Sequence, residues 1–142
     1  MEKGDFSDEE EGDGRLTDPT EAARFVSETG VDFLAASIGT VHGMYKGEPK
    51  LQFDLLEEIA EKVQIPLVLH GGSGTPEDQV LKAIDYGIRK INVNTEISLT
   101  AVSTIADTVK ENQQVHLSTL MTHAQEQMTI HMEKIIRLYQ NK

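Results

Sequence analysis

The chain has 142 residues, 38% of them hydrophobic and 26% charged, with no cysteine and a formal net charge of −11. That length suits one domain with a real core; the composition excludes a wholly disordered chain, and without cysteine there is no disulfide, thiolate metal site or thiol nucleophile. The acidic balance argues against a nucleic-acid partner, and neither a bilayer-spanning apolar run nor a leader pattern is evident, so no membrane role and a cytoplasmic setting are expected.

Nine of the 24 acidic residues fall within the first 21 positions, among them the unbroken run Asp8 to Glu11. Residues 1–16 carry Gly4, Gly12 and Gly14 and no apolar periodicity, which reads as an acidic, solvated loop or tail. The domain then starts at Thr17. Asp18, Pro19 and Glu21 form the start signal of a helix with Ala22, Phe25 and Val26 on its apolar stripe and Gly30 at its end. Val31 to Ile38 is mostly apolar and is expected as a buried strand.

The same pattern returns twice. Asp54 with Glu57 is expected to cap a helix whose inner face is Leu55, Leu56, Ile59 and Val63, and Ile65 to Leu69 follows as a strand entered through Pro66. Thr75, Pro76 and Asp78 open a third helix, with Val80, Leu81 and Ile84 inward and Gly87 at its end, before a strand over Lys90 to Asn94. Two amphipathic helices are expected over Ile97 to Lys110 and Leu117 to Tyr139. In the second, Leu117, Met121, Ala124, Met128, Met132, Ile135 and Tyr139 share one side, suited to packing on the fold or on a subunit partner. Helix and strand in strict alternation imply an α/β fold with parallel strands and right-handed crossovers.

Three polar clusters follow the three strands: Gly39-Thr40-Val41-His42-Gly43, His70-Gly71-Gly72-Ser73-Gly74 and Asn92-Val93-Asn94-Thr95-Glu96. In parallel α/β folds the C-terminal strand ends share one face, where ligands collect, so the clusters are expected to converge. His42 and His70 each offer an imidazole nitrogen suited to zinc. The Gly71-Gly72-Ser73-Gly74 stretch has the backbone donors and hydroxyl of an anion nest ahead of a helix N-terminus. Asn92, Asn94 and Thr95 add neutral donors. His116, His123 and His131 lack glycine neighbours and read as surface or packing residues.

These residues resemble the C-terminal half of a class II, metal-dependent ketose-bisphosphate aldolase. The likeness runs from about Leu16 to the end and is densest in Ile38 to Gly43, Pro66 to Gly74 and Lys90 to Glu96; Tyr45-Lys46-Gly47-Glu48-Pro49 is also similar to the fructose-bisphosphate members. The resemblance implies a partial TIM barrel of about three parallel βα units plus C-terminal helices, drawn from a homo-oligomeric parent. It implies reversible cleavage of fructose 1,6-bisphosphate, or of its tagatose counterpart, to dihydroxyacetone phosphate and glyceraldehyde 3-phosphate. By the same likeness His42 and His70 are zinc ligands, and zinc stabilises the enediolate as a Lewis acid. Gly43, Gly71, Ser73, Asn92 and Thr95 match positions that hold dihydroxyacetone phosphate, with Gly72, Val93 and Asn94 in the same stretches.

One departure sets expectations lower. The family draws its third zinc histidine and its acid/base aspartate from an adjacent Asp-His pair, and this sequence contains none. The chain is therefore expected to be a fragment or split half, without turnover alone. A non-catalytic, phosphate-binding half-barrel is the alternative.

Overall fold

The computed structural model describes residues 16–40 and 50–140, so the acidic run at 8–11, His42 and Gly43 lie outside the described residues. Helix α1 (Pro19–Thr29) starts as expected: Asp18 Oδ1 accepts the backbone N–H groups of Thr20 (2.8 Å) and Glu21 (2.9 Å). These are donors that a helix start otherwise leaves unsatisfied. At its other end Gly30, in the left-handed region, donates its N–H to Val26 O. Ala22 is buried, but Phe25 departs from the expected stripe and is half exposed (49%).

Strand β1 is shorter than the apolar run Val31 to Ile38 suggests, comprising Leu34–Ala35 alone. Leu34 N–H reaches Pro66 O, but three residues later the backbone has another partner: Ser37 exchanges bonds with Thr17, donating to its Oγ1 and accepting from its N–H. Ile38 is nevertheless 1% exposed, because it turns into the core without a ladder bond.

Helix α2 (Phe53–Val63) begins one residue before the expected cap, so Asp54 lies in its first turn and Gln52 is the N-cap, with no side-chain capping bond. The carboxylate there still complements the helix dipole. Leu56, Ile59 and Val63 are buried along one face, while Leu55 is half-buried. Strand β2 (Leu67–Leu69) is buried throughout and pairs in parallel with β1.

Helix α3 (Glu77–Asp85) buries Val80 and Ala83, rather than the expected Leu81 and Ile84, which are only partly covered. Thr75 does not cap it; its hydroxyl donates to Gly71 O. Strand β3 (Ile88–Ile91) starts earlier than Lys90 and ends before Asn92. A register shift explains this: Leu67 faces Ile88 but Val68 faces Lys90, so Arg89 is the extra residue of a bulge. Asn92 to Asn94 consequently form a loop, whose backbone is tied to β2 by Asn92 N–H to Leu69 O (2.9 Å).

The chain closes with α4 (Thr95–Glu111) and α5 (Leu117–Gln140), which pack on each other. On the expected α5 stripe Ala124 is buried and Met128, Met132, Ile135 and Tyr139 are half-buried, whereas Leu117 (67%) and Met121 (54%) are exposed. The sheet order is β1-β2-β3, all parallel, with a helix in each crossover. The core joins Ala22, Ile38, Leu51, Leu56, Ile59, Val63, Leu67, Leu69, Ala83 and Ile88, drawn from α1, α2, α3, β2, β3 and the segments that lead from β1 to α2. This is an α/β fold of three consecutive parallel strands, consistent with part of a TIM barrel.

Candidate functional site

The C-terminal ends of β2 and β3 meet, as neighbouring parallel strands must, and the loops that follow them are stitched together. Gly72 N–H donates to Asn92 O at 3.0 Å. A Cβ at Gly72 would lie 2.6 Å from Ile91 Cγ2, 2.9 Å from Asn92 O and 3.4 Å from Val93 Cγ2, so only glycine lets the loop lie this close to β3. The turn itself is made with left-handed backbone at Gly71 and Gly74 (φ 66° and 77°).

Side chains complete the stitching. Ser73 is 3% exposed, and its Oγ accepts the N–H groups of Asn94 (3.1 Å) and Glu96 (3.5 Å) at the start of α4. Its hydroxyl oxygen thus faces the positive end of a 17-residue helix. His70 is exposed at the rim, with Nδ1 2.9 Å from Asn92 Nδ2. Lys90 Nζ donates to Asn92 Oδ1, which turns the amide so that its NH2 faces the imidazole. Asn94 Oδ1 accepts from Ser98 Oγ at 3.3 Å, and Thr95 opens α4 half-buried.

Of the ten residues singled out from the sequence, the structure brings His70, Gly71, Gly72, Ser73, Asn92, Val93, Asn94 and Thr95 to one rim, while His42 and Gly43 lie outside the described residues. A catalytic zinc takes three protein ligands. Among the described residues no three histidine, cysteine, aspartate or glutamate side chains lie together, and His70 is the one imidazole at the rim. That donor set does not by itself fit the metal, so no step below runs through zinc.

Two residues outside the sequence-derived set belong to this neighbourhood. Glu96 Oε1 accepts the N–H of Gly74 at 3.2 Å, and Glu96 Oε2 lies 3.2 Å from His131 Nε2 on α5. His131, read from the sequence as a surface or packing residue, therefore reaches the glycine loop through one carboxylate. The only sequence signal was its place in the 131, 135, 139 row of α5, since a contact across 35 residues leaves no periodic trace. Tyr139 lies on the same row; burial, then the carboxylates of Glu96 and Glu77, hold its phenol above the ordinary value of 10.0. A cavity of about 550 Å³ lined by Glu57, Ala60, Glu61, Asp85, Tyr86 and Gly87 lies elsewhere, by the residue that leads into β3.

Known proteins share both the sequence pattern and the fold. The family model described as "Fructose-bisphosphate aldolase class-II" matches residues 1–142, and so extends through the acidic segment that the motif likeness left aside. A fructose-bisphosphate aldolase of Staphylococcus aureus is 46% identical over 99 residues, covering 70% of this chain and 35% of its own length. A sulfofructosephosphate aldolase of Alkalicoccus urumqiensis is 40% identical over 131 residues, covering 92% of this chain and 46% of its own. The crystal structure of the YdjI aldolase from Escherichia coli K12 superposes with a TM-score of 0.79 at 38% identity, over 89% of this chain and 46% of that one. The chain thus spans less than half the length of these relatives. This chain belongs to the class II fructose-bisphosphate aldolase family.

Proposed function

We propose that the chain carries the phosphate-holding rim of a class II aldolase acting on a ketose phosphate, with fructose 1,6-bisphosphate as the substrate and its tagatose counterpart as the alternative. In this reading Gly71, Gly72, Ser73, Asn92, Val93, Asn94 and Thr95, with Gly43, bind the dihydroxyacetone phosphate portion. His70 and His42 are the proposed zinc ligands. The domain is proposed to run over residues 17–142, preceded by an acidic segment, within a cytoplasmic and homo-oligomeric parent enzyme.

The observation that carries the reading is the bond from Gly72 N–H to Asn92 O, reinforced by the pair of α4 amides on Ser73 Oγ. Together they hold a glycine turn beside a helix N-terminus, whose dipole favours an anion. The two relatives' names, fructose-bisphosphate and sulfofructosephosphate, share a phosphorylated fructose skeleton and differ in the other substituent. A rim built for the shared phosphate end accommodates both. Because the sequence has no adjacent Asp-His pair, the 142-residue chain is proposed to bind without turnover.

Calorimetric titration of the full chain with dihydroxyacetone phosphate, with unphosphorylated dihydroxyacetone as control and with zinc present or absent, tests this. Zinc-dependent binding of the phosphorylated ligand supports the aldolase rim. Zinc-independent binding supports a phosphate-binding half-barrel instead, and equal affinity for both ligands would remove the reading altogether.

A further inference from the structure

We propose that Glu96 and His131 are positioning residues that brace the glycine loop, making the terminal helix α5 part of the ligand site. The inference rests on the reading of Gly71 to Gly74 as the phosphate-holding loop.

The brace is a chain of short contacts. Gly74 N–H donates to Glu96 Oε1 (3.2 Å), which fixes the loop at its exit into α3. The other carboxylate oxygen, Oε2, is 3.2 Å from His131 Nε2. Thr100 Oγ1, which donates to Glu96 O (2.8 Å), lies 3.4 Å from His131 Nδ1. Each ring nitrogen of His131 therefore meets an oxygen, and the ring is held between the side chain of Glu96 and the first turns of α4. Neither side chain is loose: His131 and Glu96 side chains are 33% and 29% exposed. The same turn of α4 supplies the backbone N–H groups on Ser73 Oγ, so Glu96 grips the loop twice, by backbone at Ser73 and by side chain at Gly74.

The chemistry explains why the carboxylate needs a partner. To serve as the acceptor for Gly74 the carboxylate must be held in one orientation, and the contact of its second oxygen with the imidazole supplies that restraint. His131 thus orients Glu96 towards Gly74.

The test uses the full chain and two readouts. Amide hydrogen exchange of Gly74, without ligand, reads the brace itself; Glu96→Ala and His131→Ala are each expected to raise it about three- to ten-fold, while core amides such as Leu69 are unchanged. Affinity for dihydroxyacetone phosphate is expected to fall by a similar factor in each, with no further loss in the double variant and recovery in Glu96→Gln, which keeps an acceptor for Gly74. Unchanged exchange at Gly74, or losses of affinity that simply multiply in the double variant, would overturn the brace. Absence of phosphate-dependent binding in the unsubstituted chain would instead overturn the functional reading, and the exchange experiment distinguishes the two.

Discussion

The close approach of the glycine loop to β3 makes Gly72→Ala the most informative single substitution. The added methyl would sit 2.6 Å from Ile91 Cγ2 and 2.9 Å from a backbone oxygen, Asn92 O. A side-chain methyl could rotate aside, but the carbonyl is anchored by the Asn92 N–H bond to Leu69 O one residue element away and cannot retreat without distorting β3. Overpacking of this kind costs about 1–3 kcal/mol, and loss of the Gly72 N–H bond to Asn92 O adds roughly 0.5–1.5 kcal/mol. The expected total is about 1.5–4.5 kcal/mol. Gly30→Ala is the matched control: nothing lies within 4 Å of its Cβ position, and φ is +66°. It should cost only the left-handed strain, about 1–2 kcal/mol. Urea unfolding followed by far-ultraviolet circular dichroism gives both values by linear extrapolation. A Gly72→Ala variant no less stable than Gly30→Ala would refute the claim that the two loops are packed backbone to backbone.

Three further outcomes follow from other parts of the chain. Asp18→Ala removes the acceptor for two helix-start N–H groups and should lower stability by about 1 kcal/mol in the same urea assay, with Asp18→Asn nearly neutral. Leu56→Ala empties a site that is 0% exposed and should cost about 2–5 kcal/mol, clearly more than Leu55→Ala at its half-buried neighbour. The raised phenol of Tyr139 means that the folded chain keeps this proton to higher pH than the unfolded one. Its contribution to stability is therefore complete below the unfolded value of about 10 and is lost as pH rises through the folded value. Spectroscopic titration of the phenolate band should show a late tyrosine that moves down in Glu96→Gln, since the Glu96 carboxylate is the larger of its two charge neighbours.

Much of the proposed site is legible in the sequence, for a physical reason. Glycine turns and short polar side chains act between neighbouring positions, so the loops His70 to Gly74 and Asn92 to Thr95, proposed to hold an anion, are marked by a few consecutive residues. Their convergence followed from parallel topology alone. His131 escaped because it makes its decisive contact far along the chain and nothing local distinguishes it from a surface residue; Glu96 stood in the third polar cluster, but its bond to Gly74, 22 residues away, leaves no local trace.

The amino-acid sequence by itself determined the alternation of helices and strands, the helix start at Asp18 and the two described rim loops, because periodicity, caps and glycine turns act between residues a few positions apart. The tertiary structure decided where pairing stops and which groups meet. Thr17 takes the backbone of Ser37 and cuts β1 to two residues, Arg89 bulges out of β3 and moves its start, and α5 returns to place His131 on Glu96. Each is a competition between partners distant in sequence for one donor or acceptor, and only the folded chain brings the competitors within reach.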